Sequence, residues 1–159
     1  MIRIFVVIGL LMLCLLPGTS PAAGPVDTVI AGIRAECAAI DNGVLTVETG
    51  AVRSMDLTGD GKQDAVIDGQ DLSCSSSHTL FCGGTGGCRL FLMAGGTVTE
   101  EMSKGWTLAR LGQMPVVLLQ VHGSECGGTN LRRCVKALVW SDGAFRAAGD
   151  QTGRPKKQT

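Results

Sequence analysis

Asp56, Asp60 and Asp64 stand four residues apart in the stretch DLTGDGKQDAVID, residues 56–68. Carboxylates this close repel one another, and a hard divalent cation relieves that repulsion through oxygen ligands. Thr58 adds a hydroxyl between the first two aspartates, Lys62 can offer its main-chain carbonyl, and Gly61 sits at the sharp bend. These groups offer more protein oxygens than magnesium usually accepts, so the expected ion is Ca2+, held as a structural brace. The competing reading is a turn rich in Asp and Gly that binds nothing.

The loop is not an EF-hand. The closing bidentate Glu of that motif falls where this chain has Ile67, and the flanks SMDL and AVID have strand character where an EF-hand has helices. The pattern DxTGDGxxD followed by an apolar strand resembles the calcium loops of the FG-GAP and VCBS repeat families. That resemblance implies Asp56, Asp60 and Asp64 as carboxylate ligands, the Lys62 carbonyl as a backbone ligand and Thr58 as a weaker one. It covers about a dozen residues, and the chain shows one copy where a propeller needs several.

Two other stretches invite a chemical reading. CGGTGGC, residues 82–88, lacks the Lys-Ser/Thr of a phosphate loop and runs into the strand-like RLFLM, so its glycines serve a tight turn. HGSECGG, residues 122–128, places His122, Ser124 and Glu125 at a strand end. A hydrolase needs a nucleophile, a base and an orienting acid in mutual reach. Residues two apart seldom face each other usefully, and no GxSxG elbow is present. The simpler reading gives His122 a buried carbonyl to satisfy near Cys126. Charge excludes other classes: 14 basic residues against 14 acidic ones leave no basic stripe for nucleic acid, and tyrosine is absent.

These residues must be positioned by a small exported domain. A positive start at Arg3, the apolar run Ile4–Leu16 and the small residues around Ser20-Pro21-Ala22 form the three parts of a signal peptide, with cleavage expected after Ala22. The apolar run is short of the roughly 20 residues a spanning helix needs. Cleavage removes Cys14 and leaves six cysteines, Cys37, Cys74, Cys82, Cys88, Cys126 and Cys134, which in an exported chain read as three disulfides. Local closure favours Cys126–Cys134. Cys82–Cys88 would leave Cys37 to meet Cys74, and the rival set joins Cys74 to Cys82 and Cys37 to Cys88.

Apolar residues at Val26, Val29, Ile30, Ile33, Cys37 and Ile40 predict a helix over 25–40, with Asp27 as N-cap and Asn42-Gly43 at its end. Beyond it the pattern changes to short strands: 44–48, 51–57, 64–68, 89–93, 97–102, 106–111, 115–122, 135–140 and 144–148. Pro115–His122 is apolar on both faces and reads as the central strand. Ser141-Asp142-Gly143 marks a hairpin turn. The tail 149–159 is polar and expected to be disordered.

The stretches IRAEC, DLTGDG, LSCSS, LFCGGTGGC, VHGSECGGTNLRRC and ALVWSDGAF together resemble a set of small cysteine-containing exported bacterial proteins. The resemblance spans nearly the whole mature chain and implies export and a shared fold, without supplying a mechanism. The expectation is a mainly β (α+β) protein: one antiparallel domain over 23–148, with an N-terminal helix, stapled by disulfides. Its expected role is a periplasmic or secreted binding or structural module, off the membrane once the signal is cleaved. Inhibition of a secreted protein through the loop CGGTNLRRC, which displays Arg132 and Arg133, is one alternative. A hydrolase centred on His122 is the other.

Overall fold

The computed structural model describes residues 24–148. The expected signal peptide and polar tail lie outside the described residues. Helix α1 spans Pro25–Ala38. Its N-cap is Gly24, because Pro25 presets the first helical φ and starts the helix before the expected cap. Asp27 sits instead in the first turn and accepts the Gly24 N–H at 3.1 Å. Ile33 and Cys37 are buried on the predicted face, with Val26, Val29 and Ile30 packed beside them. The helix gives way to Asp41 and Asn42, both in the left-handed region, φ 46° and 55°.

Ten strands follow: β1 (Leu45–Val47), β2 (Val52–Met55), β3 (Asp64–Asp68), β4 (Leu72–Cys74), β5 (Cys88–Ala94), β6 (Thr97–Ser103), β7 (Gly105–Leu111), β8 (Met114–Val121), β9 (Cys134–Ser141) and β10 (Ala144–Ala147). They form two four-stranded antiparallel sheets, ordered β2-β3-β5-β6 and β10-β9-β8-β7, with a short pair, β1-β4. β1 and β2 flank a turn yet belong to different sheets, since Leu45–Val47 pairs with Leu72–Cys74. The short β4 was not expected from LSC, which lies in a serine-rich stretch.

Strand alternation divides the first sheet's side chains between two cores. Ile67, Phe91 and Met93 face one way and pack with Ile33 and Cys37 of α1. Val66, Leu90 and Leu92 face the other way and pack with Val117, Leu119 and Val121 of β8. The order is therefore helix, sheet, sheet. β8 is an interior strand, as expected, but only one of its faces joins a buried core.

Three disulfides close the frame: Cys37–Cys74, Cys82–Cys88 and Cys126–Cys134. The first fastens α1 to β4, and the second closes the glycine turn before β5. Arg89 adds a polar clamp on the helix side. It bonds Glu36 of α1, donates from Nε to Glu100 of β6 at 2.6 Å, and lies 5.0 Å from the Phe91 ring centroid. Its guanidinium pKa is raised, first by Glu100 and then by Glu36.

Two polar ties join the sheets. Asp68, only 5 % exposed, accepts the Trp106 indole N–H at 2.7 Å, while Arg53 reaches the same oxygen at 3.6 Å and lies 5.2 Å from the Trp106 ring centroid. At another border Lys136 Nζ meets both Glu101 oxygens, at 2.9 and 2.8 Å. Removing one partner of a buried charge-assisted bond leaves the other short of a donor. Trp106→Phe is therefore expected to lower stability by about 1–3 kcal/mol, read from urea unfolding of the oxidised protein. A loss indistinguishable from zero would mean that the Asp68–Trp106 bond does not hold the sheets together.

Candidate metal loop

β2 and β3 pair antiparallel with Met55 opposite Asp64, so residues 56–63 form the connection of a β-hairpin. This is the expected context, with strands on both sides of the acidic loop. The chain reverses through Gly59 and Gly61, at φ 84° and 81°, a region that L side chains rarely adopt.

The loop turns its amides onto its own carboxylates. Asp56 accepts the Gly59 N–H at 2.6 Å on Oδ1 and the Gly61 N–H at 3.1 Å on Oδ2. Asp64 Oδ2 accepts the Leu57 and Thr58 N–H groups at 2.9 and 3.2 Å. Asp60 Oδ1 accepts the Lys62 N–H at 2.9 Å, and Lys62 Nζ stands 3.5 Å from Asp60 Oδ2. The Gly59 amide, more than any other group, holds Asp56 below the usual carboxylate range; the Lys62 amide does the same for Asp60.

The donor set is all oxygen, as calcium requires. Among the described residues, however, no three His, Cys, Asp or Glu side chains gather at a point that could hold a metal ion. The carboxylates of Asp56, Asp60 and Asp64 thus share one loop, with Thr58 and Lys62 between them, without gathering at one point. Spacing gave the loop but not the direction of its carboxylates. Beside it opens a cleft of about 610 Å³, lined by Asp60 and Lys62 together with the apolar Val26, Met93, Val98 and Trp140.

The second candidate cluster behaves differently from expectation. His122 Nδ1 accepts the Ser124 N–H at 3.2 Å and lies 2.8 Å from Ser124 Oγ. Residues two apart meet because the chain leaves β8 in a 3-10 turn over Gly123–Cys126, with His122 as its N-cap. The ring nitrogen therefore caps an amide and accepts where the sequence suggested donation to a buried carbonyl. Among the described residues no carboxylate, Glu125 included, hydrogen-bonds His122, so the pair has no orienting acid.

The loop that follows is closed by Cys126–Cys134. A side chain at Gly123 would come within 1.8 Å of the Thr129 carbonyl oxygen, so the base of the loop accepts only glycine. Gly128 donates to the Gly123 carbonyl at 2.9 Å, Arg132 to that of Thr129 at 3.0 Å, and Lys104 holds Asn130. Leu131, 95 % exposed, stands at the tip beside exposed Arg132 and Arg133. In the glycine turn, Gly87 presses on the Ser103 carbonyl, so CGGTGGC acts as a close-packed, bridged turn.

The fold and sites define a disulfide-stapled, mainly β protein of helix–sheet–sheet layers. Comparison with known proteins finds no family model, curated protein or solved structure that matches the chain.

The loop's hydrogen bonds set an acid dependence. Asp56 and Asp60 titrate below their ordinary value of about 3.8 in the folded state, so the unfolded chain binds protons first as pH falls. Their contribution is complete above about pH 4 and is lost as pH drops through the folded values. Urea midpoints measured at about pH 5 and about pH 3 are expected to fall on acidification, and to fall less in Asp56→Asn. An equal fall in both proteins would remove Asp56 from the account.

Proposed function

We propose that this protein is an exported binding or structural module, periplasmic or secreted, whose hairpin loop 56–64 takes up Ca2+ as a brace. The observation that carries the reading is the set of three carboxylates in one β-hairpin turn, two of them kept ionised by the loop's own amides. Asp56, Asp60 and Asp64, with the Thr58 hydroxyl and the Lys62 carbonyl, would supply the oxygens. The ion would supply positive charge where Lys62 now stands against Asp60. Export is supported by the signal-like segment 1–22 and by the three disulfides, which persist in oxidising compartments. Among the described residues no helix is long and apolar enough to cross a membrane.

Ligand binding to the folded state alone raises the unfolding temperature. Saturating calcium is expected to raise it by about 5 °C or more over EDTA, with magnesium giving less and Asp60→Ala giving none. Differential scanning calorimetry of the oxidised protein reads this directly, and superimposed traces in calcium and EDTA reject the proposal.

A second reading is favoured by the exposure of Leu131. An apolar side chain held out next to two arginines on a closed loop is already ordered for contact, which reduces the entropy cost of docking. This supports an inhibitor or adaptor that engages a secreted protein through 126–134. Leu131→Asp is expected to weaken capture of such a partner from periplasmic extract at least about tenfold, without lowering the unfolding temperature. Recovery of no partner by the unaltered protein counts against it. The hydrolase alternative rests on the His122–Ser124 contact alone, which the capping role already accounts for.

A further inference from the structure

The outer face of the second sheet is apolar and belongs to neither buried core. In β7, β8 and β9 the residues that enter the inter-sheet core are Trp106, Leu108, Val117, Leu119, Val121, Cys134 and Leu138. Alternation and register therefore place Leu111, Met114, Val116, Leu118, Val135 and Val139 together on the opposite face. None of these six joins either of the two core clusters; Val116 is already covered within the face at 8 % exposure, Leu118 and Val139 are half-buried, and Leu111, Met114 and Val135 are 71 %, 44 % and 61 % exposed. An antiparallel sheet with one solvated face usually carries polar residues there. Here the outward polar side chains are confined to Thr107, Gln120, Ser141 and Arg146, and Arg146 already lies 4.0 Å from Asp142.

We propose that this face is covered by the same face of a second copy of the chain, giving a symmetric dimer. The stretches flanking the described residues do not suit the role: 149–159 contains no aliphatic or aromatic residue, and the apolar run Ile4–Leu16 lies in the segment read as a cleaved signal, ahead of α1 on the far side of the first sheet. A copy fits for three reasons. Two identical twisted sheets pack face to face as the layers of a sandwich do. A face almost free of charge brings no like charges together, and its aliphatic character matches homodimer interfaces better than transient ones. Three strands of seven or eight residues and one of four also make a face on the order of 15–20 by 25 Å. Pairing two such faces buries on the order of 1,000 Å², at the floor for a specific interface.

Sedimentation velocity on the oxidised, iodoacetamide-treated protein tests this, with treatment excluding intermolecular disulfides. The expected result is twice the chain mass at about 100 µM, reverting to monomer on dilution. Leu111→Lys combined with Val135→Lys alters only exposed positions and is expected to raise the dissociation constant at least about tenfold. Val44→Lys, at an exposed valine on the helix side of the fold, leaves it unchanged. A monomeric wild type overturns the proposal, whether the face then stays bare or binds phosphatidylcholine vesicles. Dimerisation of the double-lysine variant at wild-type strength overturns it equally.

Discussion

Strands β3 and β5 carry apolar side chains on both faces, and the architecture follows from the need to cover both. Val66, Leu90 and Leu92 cannot share a side with Ile67, Phe91 and Met93, because successive strand residues point to opposite faces. One set requires a second sheet and the other requires the helix. A domain this small buries a limited share of its surface, so a single helix resting on a sheet is a weak cover. Cys37–Cys74 and the Arg89 clamp reinforce that cover, one by restricting the unfolded chain and the other by tying Glu36 on the helix to Glu100 on the sheet.

The sheet–sheet layer is fixed by other means. Its centre is aliphatic and would tolerate sliding, since apolar contacts are not directional. Direction enters at the borders. The indole N–H of Trp106 finds Asp68, and Lys136 finds Glu101, so each sheet registers against the other at separate points. Among the described residues no buried side-chain nitrogen or oxygen lacks a hydrogen-bond partner. These polar groups thus specify a geometry without leaving an unsatisfied atom to offset the gain.

The fold was legible where local pattern is sufficient. Helical spacing from Val26 to Cys37 found α1 and its buried face, and Ser141-Asp142-Gly143 found the β9–β10 turn. Division of the strands into two sheets was not legible, because it depends on partners far apart, as when Leu45 meets Cys74 and not a residue of β2. Disulfide spacing left two sets open for the same reason. At the candidate loop the acidic positions and hairpin context were readable from Asp56 to Asp64. The orientation of the carboxylates was not, because loop amides compete for the oxygens a metal would use. His122 was misread because the 3-10 turn after β8 has no apolar period to reveal it.

Loop and second sheet are not independent. A side chain at Gly59 would come within 3.0 Å of Pro115 in β8, and the charge of Arg110 in β7 helps keep Asp56 ionised. The hairpin that carries Leu111 and Met114 on its outer face therefore supports the acidic loop from the other side. Gly59 is needed twice: its φ of 84° favours glycine, and the close approach to Pro115 leaves little room for a Cβ. The order of the loop is thus set by packing against a neighbouring sheet as well as by its own hydrogen bonds. That explains how eight residues rich in glycine and charge hold one conformation at the edge of a small domain, where their amides remain aimed at Asp56 and Asp64.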